Sequence, residues 1–220
     1  MNETAQGIAL RIRPLSDSSL IVNWLTQQHG RLNTVAKGAR RPKSPFRGVV
    51  DLLFEAEFSF ARSRHSNLHT LREVKLLDAH SNLQQDIKRL QLVAYATRLL
   101  ERSTELEYPL PGIHAIFSTL LEHLEIHSTR PALVYAFEIK ILNELGLAPP
   151  VDDNRLDEYA AQLMEQLSVL SWKAINELNP NRSEVEKLSK FLGEFIQHNL
   201  EYLPKGRWGS PLSAQCNCAH

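Results

Sequence analysis

The chain has 220 residues, 43% of them apolar and 23% charged, enough for one large domain or two small ones with a true hydrophobic core. Its 25 Lys+Arg balance 25 Asp+Glu, which excludes a histone-like polycation, and no run of about 18 apolar residues offers a transmembrane helix. Charge is unevenly placed: residues 1–75 hold 12 Lys+Arg against 6 Asp+Glu, and residues 76–220 hold 13 against 19. A basic region followed by an acidic one suits a nucleic-acid binder joined to a protein-contact domain.

The first 80 residues read as short strands. In Gly7–Arg13, Ile8, Leu10 and Ile12 alternate with Ala9, Arg11 and Arg13, which predicts an apolar row inward and a basic row outward. Leu20–Leu25 is a second strand with Val22 and Trp24 on one face, and Leu32–Ala36 a third. His29-Gly30-Arg31 makes the turn of a hairpin between them. Phe54, Ala56, Phe58 and Phe60 share a face of a fourth strand, and Leu68–Leu77 is the fifth. Five short strands in about 80 residues fit a small closed barrel of the OB type.

Beyond Asp78 the apolar period becomes 3.6. Helices are predicted over Asp86–Glu107, from Pro111-Gly112 through Leu124, from Pro131 to Leu145 with Gly146 as the stop, over Leu156–Leu167, near Trp172–Leu178, and over Ser183–Tyr202. Ser183 with Glu186 fits a capping box. The fold class is therefore α+β, an N-terminal OB-fold barrel followed by an all-α helical domain. The divisions are 1–80 for the barrel, 81–203 for the helices and 204–220 for a Gly/Pro/Ser-rich tail expected to fray.

No catalytic motif is present: there is no P-loop, GxGxxG, His-Glu-x-x-His or GxSxG. No enzyme activity and no cofactor are expected. Cys216, Cys218 and His220 are spaced too tightly for a standard structural zinc site, so no metal is expected there. Met1-Asn2-Glu3-Thr4 lacks the basic start of a secretory signal, and a cytoplasmic, nucleoid-associated protein is expected.

The informative stretch is Val35–Gly48. It carries Lys37, Arg40, Arg41, Lys43 and Arg47 with no acid, and Gly38, Pro42, Pro45 and Gly48 keep it out of regular structure. Cations on a loop at a strand end can neutralise phosphates and release counterions, giving salt-dependent and sequence-independent affinity; the alternative is a solvated basic loop. Phe46 is either a stacking face for an unpaired base or a side chain tucked into the barrel end. Arg11 and Arg13 extend the basic face along the first strand, and Arg62, Arg64 and Arg72 do so from the last hairpin.

These residues resemble the RecO family of DNA repair proteins. The similarity runs through Arg13-Pro14-Leu15-Ser16-Asp17-Ser18-Ser19-Leu20, then Thr26 and His29-Gly30-Arg31, then Val35-Ala36-Lys37-Gly38-Ala39-Arg40. It continues in Pro131-Ala132-Leu133, Phe137-Glu138 and Leu142-Asn143-Glu144-Leu145-Gly146, and fades beyond about residue 150. The resemblance implies an OB fold with a helical domain, binding of single- and double-stranded DNA, annealing of complementary strands, and help in loading RecA onto DNA coated by single-strand binding protein, with RecR as partner. It implies no membrane contact. By position, Lys37, Arg40, Arg41, Lys43 and Arg47 fall in the loop that touches DNA, with Arg11, Arg13, Arg31, Arg64 and Arg72 added from neighbouring strands and turns.

Three departures stand out. Residues 147–157 contain no cysteine where relatives have a zinc module, so no zinc is expected. Tyr135 and Ala136 replace paired arginines used for the acidic tail of single-strand binding protein. Lys205-Gly206-Arg207-Trp208 stands roughly where relatives have Leu-Lys-Ser-Arg. A competing reading is a protein-interaction adaptor with weak or no direct DNA binding.

Overall fold

A computed structural model describes residues 2–207 of the chain. The Cys216/Cys218/His220 cluster and Trp208 lie outside the described residues. The structure divides into two compact units, one of Met1–Ser81 with Thr104–Ser118 and one of Asn82–Ser103 with Thr119–His220.

In the first unit, strands β1 (Asn2–Pro14), β2 (Leu20–Thr26), β3 (Gly30–Ala36), β4 (Glu55–Ala61) and β5 (Leu68–Asp78) close into a barrel in the order β1-β2-β3-β5-β4. All pairings are antiparallel except β3 with β5. The predicted period-two faces of β2 and β4 hold: Val22, Trp24, Ala56, Phe58 and Phe60 line the barrel core with Leu32, Ala36 and Leu71. Trp24 stacks on Phe58 at 4.3 Å. Its indole N–H donates to Thr34 Oγ1 at 2.8 Å, so the buried ring leaves no polar atom unpaired.

β1 corrects the expected pattern. Ala5 and Ala9 enter the barrel core, while Ile8 and Leu10 are buried outside that cluster. A bulge between Ala9 and Arg11 shifts the register against β2, so Ile12 packs on the core instead of continuing the Ile8–Leu10 row. One extra residue reverses which side chains face inward beyond it.

The predicted helix through Glu107 ends at Ser103, and residues 104–108 instead run beside the start of β3. Parallel pairing of β5 reaches β3 only from Asn33 onward, and this segment covers the uncovered part. Glu107 N donates to Arg31 O at 2.9 Å. Gly30, at φ 66, passes so close to Tyr108 that a Cβ would fall 2.0 Å from its carbonyl oxygen. Glycine is required there by both conformation and contact.

Helices α1 (Ile87–Ser103), α2 (Pro111–Ile126), α3 (Pro131–Glu144), α4 (Glu158–Val169), α5 (Trp172–Glu177) and α6 (Arg182–Leu200) follow, with α2 divided between the units at Ser118. Within the helical unit, α3 is buried from Ala132 to Ile139 and again at Ile141 and Leu142, the mark of a central helix enclosed on all sides. Pro131 opens it and Gly146, at φ 74, follows its end. The capping box of α6 is formed by Asn181 and Glu184, two residues ahead of the expected Ser183–Glu186. Glu186 instead pairs with Arg182 one turn away. Of the segment expected to fray, the described part ends at Arg207, whose side chain is buried at 5% exposure. Among the described residues, no helix is long and apolar enough to cross a membrane.

Candidate nucleic-acid interface

Pro14, Leu20 and Ala36 pair across β1, β2 and β3, so the ends of these strands meet at one end of the barrel. The β1–β2 loop and the cation-rich segment leave from there and are bonded to each other. Arg40 N donates to Ser18 O at 3.0 Å, Arg40 Nη1 to Ser16 O at 3.2 Å, and Gly38 N to Ser19 Oγ at 3.4 Å.

The cation-rich segment is a chain of linked turns. Ala39, Arg41, Ser44, Arg47 and Val49 each donate a backbone N–H to the carbonyl three residues earlier. Gly38 at φ 73 permits the first reversal. Phe46 is only 6% exposed and belongs to the barrel core. This overturns its reading as a stacking face: its ring anchors the segment, because burial of an aromatic side chain outweighs leaving it in water. Lys37, Arg40, Arg41, Lys43 and Arg47 around it are all exposed.

The other cations of the predicted site divide by position. Arg11 and Arg13 are exposed beyond the β1 bulge, and Arg13 pairs with Ile21 at the loop-bearing end. Arg72 is exposed two residues past Thr70, which pairs with Val35, so it is placed along β5 as Lys37 is along β3. Arg64 is exposed in the β4–β5 loop, at the opposite end where Ala61 pairs with Asn2. Between these two ends, the outer faces of β2 and β3 present Asn23 and Asn33, hydrogen-bonded to each other. Among the described residues, none of Arg13, Lys37, Arg40, Arg41, Lys43, Arg47, Arg64 and Arg72 forms an ion pair.

Arg31 is different. It is half-buried, its Nε donates to Thr104 Oγ1 at 2.7 Å, and its Nη2 donates to the Thr104 carbonyl. Its guanidinium ties residues 104–108 to β3. Arg62 likewise grips Glu3 with two nitrogens and Glu107 with the third. The hydrogen bond from Arg62 holds the Glu3 carboxyl below its ordinary range. His69, buried against Phe60, accepts from Ser63 N at Nδ1 and thus carries its proton at Nε2, 3.0 Å from Glu107. Sequence reasoning missed this cluster because Glu107 was placed on a helix. It also missed the part played by Ser16, Ser18 and Ser19, although a Ser-Asp-Ser-Ser run is a turn signal.

In the helical unit, Tyr135 and Ala136 are 1% and 0% exposed. They offer no surface charge where the resemblance suggested a tail-binding pair.

Barrel topology and an unpaired cationic loop at one barrel end define an OB-type barrel protein with an appended helical unit. Comparison with known proteins agrees. Residues 1–80 match the family profile "Recombination protein O N terminal", and residues 84–155 match "Recombination protein O C terminal". The chain is 31% identical over 150 residues to the DNA repair protein RecO of Listeria monocytogenes serotype 4b (strain CLIP80459), covering 68% of this chain and 58% of that protein. It is 26% identical over 148 residues to the DNA repair protein RecO of Bacillus pumilus, covering 67% and 57%. The match thus spans somewhat more than half the length of these relatives. The chain belongs to the recombination protein O (RecO) family.

Proposed function

We propose that this chain is a non-enzymatic mediator of recombinational DNA repair, which binds single- and double-stranded DNA on its barrel and brings complementary strands together. The observation that carries the reading is the set of exposed cations, without carboxylate partners among the described residues, on a segment locked to the β1–β2 loop. Phosphates would be held chiefly by Lys37, Arg40, Arg41, Lys43 and Arg47, with Arg11, Arg13 and Arg72 flanking them. Barrels of this type hold oligonucleotides on the β2–β3 face and on the β1–β2 and β4–β5 loops, a path that would take a strand past Asn23 and Asn33 toward Arg64. Neutralising phosphates on two strands at once lowers their repulsion, which is what annealing requires.

Relatives bear the name DNA repair protein RecO, and a DNA repair role is proposed here; the family resemblance suggests that it takes the form of assistance to RecA loading together with RecR on DNA coated by single-strand binding protein. Arg31 and Arg62 are left out of the DNA surface because their guanidinium groups are engaged by Thr104, Glu3 and Glu107.

The test is annealing of complementary oligonucleotides by the wild type and by a Arg40→Ala/Arg41→Ala/Lys43→Ala variant of unchanged thermal stability. The variant should slow annealing at least tenfold. Equal rates would remove the loop from the mechanism, and absence of salt-dependent binding by the wild type would favour a protein-interaction adaptor.

A further inference from the structure

Of the described aromatic side chains in the barrel unit, Tyr108 is 59% exposed but lies against Gly30, at the end away from the cationic segment, and Phe54 is half-buried ahead of β4; the others are spent inside. Trp24, Phe46, Phe58 and Phe60 are all core residues. An unpaired base arriving at the cationic end therefore needs a different apolar partner. Leu15, at the start of the β1–β2 loop, is 49% exposed.

Its position is fixed. Leu15 N donates to Ser19 O at 3.0 Å, Ser16 N donates to the same oxygen at 3.3 Å, and Ser16 Oγ accepts from the backbone of Ser18 and Ser19. Arg13 lies two residues before it, and the Arg40 guanidinium is bonded to the carbonyl of Ser16, the residue after it. A half-exposed aliphatic side chain is thus carried on a hydrogen-bonded turn, two residues from Arg13 and next to the carbonyl that holds the Arg40 guanidinium. A single exposed leucine on an open surface is ordinary; one constrained to stand among phosphate-binding groups has an apolar partner to meet. Leucine is among the apolar residues that proteins wedge between the base steps of a duplex at an unstacking cost, a cost that a strand with bases already unstacked does not incur.

We infer that Leu15 is a base-contacting residue of this surface, packing on an unstacked base of a single strand while Arg13 and Arg40 hold the adjoining phosphates. The inference rests on the nucleic-acid reading above and adds to it a preference. Duplex bases are stacked and shielded, so Leu15 favours single strands, and the contact reads no sequence because every base offers an apolar face.

The experiment compares wild type and Leu15→Ala by fluorescence anisotropy on three ligands: a thymidine oligonucleotide, an abasic strand of the same length, and a duplex. Leu15→Ala should weaken thymidine-strand binding about fivefold, the weight of a half-exposed leucine leaving water. The salt slope should be unchanged, because no phosphate contact is lost. Affinity for the abasic strand and the duplex should be the same in both proteins, and Leu15→Trp should tighten the thymidine strand alone. Equal binding of the thymidine strand by both proteins overturns the inference, and so does an equal loss on the abasic strand. A wild type that binds none of the three ligands defeats the nucleic-acid reading itself. Matching thermal midpoints for the variants exclude misfolding, since the side chain is half in solvent.

Discussion

Arg207 and Glu138 form a buried, two-pronged ion pair, with Nε 2.6 Å from Oε1 and Nη2 2.7 Å from Oε2. Glu138 is fully buried on the central helix α3, and Arg207 is brought to it by the segment after α6. The remaining guanidinium nitrogen donates to Ser189 O and Oγ, Tyr95 O–H donates to Glu138 at 2.5 Å, and the guanidinium lies over the Tyr135 ring. Burial works against the Arg207 charge, but Glu138 overrides it and keeps the guanidinium firmly protonated. Arg207→Ala would leave a buried carboxylate without its counter-charge and should destabilise the protein by about 3–5 kcal/mol in urea unfolding. A double change, Arg207→Met with Glu138→Leu, should recover most of that loss. A single-variant loss under about 1 kcal/mol would show that Glu138 does not depend on Arg207 for its counter-charge.

A second stability effect depends on pH. Burial lowers the pKa of His114 below its ordinary 6.5, opposed in part by Glu55, and burial aided by His127 lowers that of His123. A depressed imidazole pKa means the unfolded chain binds protons first as pH falls. The stabilising contribution is present above about 6.5 and is lost as pH drops toward the folded-state values. The thermal midpoint should therefore decline between about pH 7 and 5, above the range where most carboxylates titrate. Among the described residues His114 Nε2 has no hydrogen-bond partner, so His114→Phe should flatten that decline. A wild-type midpoint that stays level across this interval would contradict the assignment.

Phe46 sets up a different prediction, because one buried ring holds an exposed functional segment. Phe46→Ala should cost about 3–5 kcal/mol from the core. It should also release the turns that carry Arg40, Arg41 and Lys43, making these sites faster targets for trypsin under native conditions. Phe46→Leu should largely preserve both properties. Unchanged tryptic cleavage in Phe46→Ala would show that the bonds to Ser16, Ser18 and Ser19 suffice to hold the segment.

The barrel was legible where one period governed a whole strand. Ala56, Phe58 and Phe60 alternate into the barrel core as expected, whereas Phe54 precedes β4 and stays outside that core. β1 was misread because a bulge carries no local composition mark, and Ala9 fits either face. Thr104-Glu105-Leu106-Glu107 satisfies helical periodicity, yet the chain leaves the helix at Ser103 and takes the place beside β3 that β5 leaves uncovered. The cationic segment was legible as chemistry, but Phe46 faced two environments that sequence cannot tell apart. Arg207 was hidden because its partner stands 69 residues away, among Gly and Pro that read as loose chain.

The same division of labour separates two arginines that sequence places in one basic set. Arg31 is bound to Thr104 and secures the segment beside β3, whereas Arg40 spends one nitrogen on Ser16 O and is otherwise exposed. Arg31→Ala should lower stability by about 1–3 kcal/mol, the loss of a charged hydrogen-bond donor from the buried Thr104 acceptor. It should leave the salt dependence of DNA binding unchanged. Arg40→Ala should do the reverse: stability stays within about 0.5 kcal/mol, and the slope of log affinity against log salt falls by about one, as for one lost phosphate contact. Urea unfolding and salt titrations on the two variants measure both quantities. A slope change of about one in Arg31→Ala, with stability intact, would return Arg31 to the DNA surface and reassign the closure of the barrel to Arg62, His69 and Glu107.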